Sequence, residues 1–281
     1  MKQKDNATLA KNASTPNLSE KNVCFESSVL LLILPIKHIM MKKNLIVITG
    51  ASSGFGLELA KAFAQDGYPL LLLARRIEKM EALNLPNTLC RKVDVTDKQA
   101  FEMAVREAES QYGKTDLLIN NAGIMLLGDL AIQDTAEWKK MLDVNVLGVM
   151  NGMQIVMNDM KARQHGTIIN ISSMAGVMPF GNHAAYCASK YAVRGVTQTA
   201  RLELSPHNVR VIVVEPGAVE TELLSHTTTP EIIENYENWK QSVGAVNITA
   251  ADVAKTIKFT YELPQSVLIR ELLISDTKQD A

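Results

Sequence analysis

The sequence has no excess of either charge, few cysteines and no apolar run long enough to cross a bilayer. Its 29 basic and 30 acidic side chains leave a formal net charge of −1 over 281 residues. That balance provides no basic footprint for a nucleic acid and no acidic tail, so a small-molecule partner is the default. The three cysteines, Cys24, Cys90 and Cys187, are widely spaced and odd in number. They form neither a disulfide framework nor a metal cluster, so no metal is expected, and they fit a reducing, cytoplasmic compartment. The apolar stretch Val29–Ile36 is interrupted by Pro35 and falls far short of the roughly 20 residues a spanning helix needs, so no membrane partner is expected. Its polar lead is too long for a secretory signal, and no small-residue cleavage site follows.

Hydrophobic residues make up 47% of the chain, enough to pack a core. Residues 1–28 are polar, rich in Lys, Asn and Ser, and lack periodicity, which is the composition of a disordered arm. Met40 and Met41 directly precede Lys-Lys-Asn-Leu-Ile-Val-Ile-Thr-Gly, which reads as a chain start. Residues 1–40 are therefore expected to be a disordered extension or a start-site artefact, and 41–281 a single domain.

Within that domain, apolar runs alternate with amphipathic stretches. Leu45–Thr49 reads as a strand buried on both faces, and it runs into Gly50-Ala-Ser52-Ser53-Gly54-Phe55-Gly56 and a helical pattern. Strand, glycine turn and helix together put backbone N–H groups and a helix N-terminus against a pyrophosphate. Pro69–Ala74 is a second strand, ending in Arg75-Arg76 about twenty residues on, where an acid would bind the adenosine ribose of NAD. No acid stands there. Two arginines could instead grip a 2′-phosphate, which argues for NADP(H) over NAD(H); the alternative is a solvated start to the next helix.

Leu89–Val93 is a third strand, with Asp94-Val95 placed to reach an adenine amino group, and helical sequence follows from Asp97 to Tyr112. A fourth strand ends in Asn120-Asn121-Ala122-Gly123, small residues that let a ligand lie against the backbone. Asp134–Met157 reads as one long helix carrying Asn145, more often a structural bond-maker than a catalyst. Strands follow at Gly166–Ile171 and Val209–Val214, the second capped by Pro216-Gly217-Ala-Val219-Glu-Thr221 near a nicotinamide end. Leu223–Val246, with a helical piece at Glu231–Lys240, suits a substrate lid. A last helix, Ala250–Tyr261, and a last strand, Val267–Ile274, complete a doubly wound α/β pattern of about seven parallel strands of the Rossmann type.

The chemistry centres on Ser173, at the end of the fifth strand, and on Tyr186 and Lys190, four apart on one helix face. A hydroxyl, a phenol and an ammonium converging on one point can polarise a carbonyl and move a proton. The chain holds a second copy of the spacing, Tyr236-x-x-x-Lys240. No strand-ending serine precedes it, so it reads as an ordinary amphipathic turn. Cys187 reads as a small buried residue on the helix of Tyr186. Met125, Leu126, Met174, Val177, Met178, Phe180 and the 223–246 segment are expected to line an apolar pocket, although they could equally pack a lid or a subunit contact.

Taken together, Thr49-Gly-x-x-x-Gly-x-Gly56, Asn120-Asn-Ala-Gly123, Asn145, Ser173, Tyr186-x-x-x-Lys190 and Pro216-Gly217 with Thr221 resemble the short-chain dehydrogenase/reductases. The likeness runs from about Met41 to the C-terminus. The stretch Leu263–Ser275 is similar to the branch containing NADP-dependent 3-hydroxy acid and serine dehydrogenases. The resemblance implies a single catalytic domain and a homodimer or homotetramer. It implies Tyr186 as acid and base, and Lys190 lowering its pKa and binding the nicotinamide ribose. Ser173 would bond the substrate oxygen, and Asn145 would hold a water linked to Lys190. Two alternatives carry the same motifs: a catalytically silent NADP-binding regulator, and a 3-ketoacyl-carrier reductase, which would need a basic docking face that the sequence does not plainly show.

Overall fold

A computed structural model describes residues 43–242 and 248–279. The proposed extension at 1–40 and the end of the expected lid at 243–246 lie outside the described residues. Strand β1 (Leu45–Thr49) is buried along its whole length, as are β2 (Leu70–Ala74) and β4 (Thr115–Asn120). Between them lie α1 (Gly54–Gln65), the short α2 (Ile77–Glu81), edge strand β3 (Thr88–Lys92) and α3 (Lys98–Tyr112). The Asp97 side chain caps α3 by accepting from the Ala100 N–H, where the sequence places the helix start. After β4 come α4 (Thr135–Leu142), a π turn at Asp143–Leu147, α5 (Gly148–Arg163) and β5 (Gly166–Ile171). The remaining elements are α6 (Ala184–Leu204), β6 (Val209–Pro216), α7 (Pro230–Ser242), α8 (Ala250–Glu262) and β7 (Glu271–Ile274).

Seven parallel strands form one sheet in the order β3-β2-β1-β4-β5-β6-β7. Side chains alternate across it with a period of two. Leu45 and Val47 of β1 face a core shared with Phe101 of α3, Met153 of α5 and Val193 of α6. Ile46 and Ile48 face the opposite core, built with Phe63 of α1 and Ile257 of α8. Continuous apolar runs are thus the requirement of strands covered on both faces. The order in which strands are added reverses between β1 and β4, which opens a crevice beyond their carboxyl ends.

Two expectations need correction. The helix expected over 134–157 is broken by the π turn and runs on to Arg163. A Cβ on Gly148, the first residue of α5, would come within 2.6 Å of Val95, so the helix lies close against the end of the β3 segment there. The last strand begins at Glu271 rather than Val267, because β7 is an edge with one neighbour and pairs only where β6 runs beside it.

Candidate active site

The crevice is held open by hydrogen bonds between the two chain segments that flank it. Thr49 Oγ1, at the end of β1, accepts from the Asn121 N–H at 2.9 Å and the Ala122 N–H at 3.0 Å. In return Asn121 Nδ2 donates to the carbonyls of Thr49 (2.9 Å) and Gly50 (3.2 Å). Gly50 has φ +67°, and a Cβ there would lie 2.8 Å from Ala122 Cα. Only glycine fits that turn. Gly56 serves differently: a Cβ would strike the Gly50 carbonyl at 2.4 Å, so this glycine lets α1 close onto the turn and is not on the cavity wall. Ser53, the N-cap of α1, does not cap the helix with its side chain, and no acid occupies the first turn. The N–H groups and the positive end of the helix dipole at that turn suit an anion.

A cavity of about 680 Å³ runs along the crevice. At one end Arg76 donates to Ser52 Oγ (3.1 Å) and Ser53 Oγ (3.0 Å), gathering two hydroxyls and a guanidinium into one cluster. Arg76 also pairs with Glu222 at 2.8 Å, and Lys79 pairs with the other carboxylate oxygen at 3.0 Å. Hydrogen bonds from Lys79 and Arg76 pull the Glu222 carboxyl down to about 2. Asp94 accepts from the Thr96 N–H and hydroxyl. Burial pushes its carboxyl up, but those bonds and the nearby Arg75 outweigh burial and the net shift is downward. Arg75, Asp94 and Val95 all face the cavity.

At the other end β5 delivers Ser173, and α6 delivers Tyr186 and Lys190. Ser172 Oγ donates to the Lys190 carbonyl at 2.9 Å and ties α6 to the strand end. Ser173 Oγ accepts from the Ala175 N–H at 3.1 Å. Tyr186 and Lys190 are only 4% and 5% exposed, yet both border the cavity. Lys190 Nζ donates to the Ile171 carbonyl at 3.0 Å and stands 5.6 Å from the centre of the Tyr186 ring. Burial pushes the Tyr186 phenol well up, with the Ser173 hydroxyl opposing it. Burial lowers Lys190 to about 8. At neutral pH the phenol is therefore protonated and the ammonium mostly charged, a donor beside a cation.

Asn145, inside the π turn, does not border the cavity. Its Oδ1 accepts from the Ile124 N–H at 2.8 Å, and Nδ2 donates to the Ile124 carbonyl (2.9 Å) and Ser189 Oγ (3.0 Å). Both Nδ2 hydrogens are committed to those partners. The side chain fastens the segment after β4 to α6.

Gly54, Phe55, Ala122, Gly123, Pro216, Gly217, Val219 and Thr221 also border the cavity. Of the expected pocket residues, Met125, Met174, Phe180 and Leu223 line it, whereas Leu126, Val177 and Met178 do not. Leu126 is turned into the packing: its N–H meets the Met141 sulfur and its carbonyl accepts from Gln133. The second Tyr-x-x-x-Lys turn is more than an ordinary surface turn. Tyr236 and Lys240 of α7 both border the cavity, and Lys240 is buried. Cys187 is buried, and burial pushes its thiol up. Gln279 escaped sequence reasoning altogether; it follows the last strand in no motif, yet it reaches the cavity and accepts from the Ala218 N–H at 3.0 Å. Among the described residues no cluster of His, Cys, Asp and Glu could hold a metal ion, and no helix is long and apolar enough to cross a membrane.

A family model described as short chain dehydrogenase matches residues 44–231. The chain belongs to the short-chain dehydrogenase family. An uncharacterized oxidoreductase of Staphylococcus saprophyticus is 33% identical over 245 residues, covering 85% of this chain and 98% of that protein. A glycine betaine reductase of Emericella nidulans is 35% identical over 247 residues, covering 85% of this chain and 19% of that much longer protein. Among solved structures, the closed form of a serine dehydrogenase complexed with NADP+ superposes with a TM-score of 0.78 at 29% identity, covering 84% of this chain and 96% of that one. A short-chain dehydrogenase sheet with this strand order explains why the glycine turn and the Tyr186 helix open onto one crevice. The chain is accordingly an oxidoreductase of that family.

Proposed function

We propose that this protein is an NADP(H)-dependent oxidoreductase that interconverts a secondary alcohol or hydroxy acid with the corresponding carbonyl, using Tyr186 as acid and base. The observation that carries the reading is that Ser173, Tyr186 and Lys190 border the same cavity as the glycine turn and Arg76. The cradle suits a dinucleotide: Gly50 borders it where the chain has no side chain, and the start of α1, which no side chain caps, lies on it beside Ser52 and Ser53. The nicotinamide supplies or accepts the hydride when bound.

The chain's own residues manage the proton and the orientation. In reduction, the buried Tyr186 phenol donates its proton to the substrate oxygen, which Ser173 holds by hydrogen bond. The Lys190 ammonium stabilises the phenolate left behind and serves the nicotinamide ribose. In oxidation the same phenolate takes the proton back. Asp94 and Val95 serve the adenine, and Asn121, Ala122 and Gly123 bring the backbone against the dinucleotide. Pro216, Gly217, Val219 and Thr221 serve the nicotinamide end. Arg75 and Arg76 support NADP(H) over NAD(H), because they stand where an acid would otherwise bind the ribose hydroxyls. The relative named for reductase activity and the structural neighbour that binds NADP+ support the same direction.

Tyr186→Phe removes the only proton this reading uses while keeping the ring's packing. Steady-state assay of alcohols, hydroxy acids and ketones with both cofactors should show turnover in the parent protein and at least a roughly thousandfold loss in the variant. NADPH binding by fluorescence titration should persist. Retained turnover in Tyr186→Phe overturns the assignment, and NADPH binding without any turnover in the parent favours a silent regulator instead.

A further inference from the structure

The second Tyr-x-x-x-Lys turn contributes to an arrangement that the proposed hydride chemistry does not use. Phe180 and His183 lead into α6, and Tyr236 and Trp239 come from α7; all four rings border the cavity. Their centroids form a closed circuit: 5.7 Å from Phe180 to His183, 5.7 Å to Tyr236, 5.4 Å to Trp239 and 5.7 Å back to Phe180. His183 lies 6.2 Å from the Tyr186 ring, so the circuit adjoins the proposed reacting end.

The rings are uncharged and their surroundings are acidic. Burial lowers the His183 imidazole, opposed in part by the contact of its Nδ1 with the Gly181 carbonyl at 2.5 Å. Burial pushes the Tyr236 phenol up. Lys240, one turn beyond Tyr236, is bound by Glu220 at 2.5 Å and Glu237 at 2.9 Å. Two carboxylates against one ammonium leave a surplus negative charge beside the rings. Lys190, the proposed catalytic cation, is directed to the Ile171 carbonyl. An anionic substrate group would thus have to displace a carboxylate from Lys240. A cation gains from the negative faces of several rings at once, most of all one whose charge is spread over methyl groups and costs little to dehydrate.

We propose that these four rings form a subsite for a quaternary ammonium group, and that the substrate carries its carbonyl or alcohol a few carbons from a trimethylammonium centre. The proposal rests on the oxidoreductase reading above. The ammonium lodges among the rings while the carbonyl oxygen reaches Tyr186 and Ser173. The carbonyl carbon gains a hydride from the reduced nicotinamide and the oxygen gains the Tyr186 proton. Alcohol and oxidised cofactor leave, and solvent restores the phenol.

The test compares 1-(trimethylammonio)propan-2-one with 4,4-dimethylpentan-2-one, its uncharged isostere, and 5-(trimethylammonio)pentan-2-one with 6,6-dimethylheptan-2-one, all with NADPH. In at least one pair kcat/KM should favour the cation by about tenfold. Trp239→Leu and Tyr236→Leu should bring that ratio close to one. Equal or faster reduction of the isosteres overturns the subsite while leaving the oxidoreductase reading standing. If no carbonyl compound is reduced, that reading has failed, and calorimetry with tetramethylammonium decides the subsite alone. Binding that Trp239→Leu abolishes upholds it, and no binding overturns it.

Discussion

Arg76 has more partners than a single side chain can keep once a ligand arrives. Its guanidinium donates to the Ser52 and Ser53 hydroxyls and pairs with Glu222, which also holds Lys79. Glu222 therefore stands as an anion on Arg76, one of the two arginines that a 2′-phosphate would use, and on Lys79 beside it. These side chains are roughly half exposed, so each pair by itself contributes little to stability. Their effect is on competition: a phosphate reaching Arg76 must first displace the carboxylate. Glu222→Gln removes the competing charge and keeps the shape. We expect NADPH to bind several-fold more tightly to this variant, with NADH binding unchanged, as read by fluorescence titration at fixed ionic strength. Weaker NADPH binding would mean that Glu222 orders the arginine rather than competes for it.

The π turn at Asp143–Leu147 matters because of what it does to Asn145. One wider turn between α4 and α5 carries that side chain to the backbone of Ile124, where it pairs with both the N–H and the carbonyl, and to Ser189 of α6. Three segments meet there: the end of β4, the broken helix and the helix of Tyr186. Asn145→Ala leaves the buried Ile124 N–H and carbonyl without their side-chain partner, while the Ser189 hydroxyl keeps its bond to the Tyr186 carbonyl, at a cost of about 2–4 kcal/mol. Urea denaturation should show that loss. The kcat should fall more than KM rises, because a Cβ at neighbouring Gly123 would sit only 3.6 Å from Lys190 Nζ, and movement of this segment disturbs the ammonium first. The asparagine was legible in the sequence, but the π turn was not. One extra residue in a helical turn barely disturbs the spacing of Met141, Val149 and Met153, all buried as an unbroken helix would have them. Tyr186 and Lys190 were legible because their partnership is local, four residues apart on one helix. The Phe180–His183–Tyr236–Trp239 circuit joins segments some fifty residues apart, and no spacing rule connects them.

For the whole molecule, the sheet could be read from its strands because the five inner ones, β1, β2, β4, β5 and β6, are runs buried along their whole length, and the strand order follows from alternation with helices. Closure of the cavity could not, because it depends on where the chain goes after its last strand. Beyond β7 the chain turns at Asp276, whose carbonyl accepts from the Gln279 N–H at 3.0 Å, and the Gln279 side chain returns to the end of β6. There its Oε1 accepts from the Ala218 N–H, and its Nε2 lies 3.3 Å from the Met174 sulfur next to Ser173. A Cβ on Gly217 would meet Gln279 Oε1 at 2.2 Å, so this glycine exists to admit the side chain. Gln279 thus braces the 217–221 segment, which bears Val219 and Thr221, from a position near the far end of the sequence. Gln279→Ala strands the buried Ala218 N–H, and Tm should fall by about 2–6 °C. The loosened segment should also raise the KM for NADPH several-fold while Tyr186 keeps its surroundings and kcat changes little. A variant with unchanged Tm and unchanged KM would show that the 217–221 segment holds its shape without the brace.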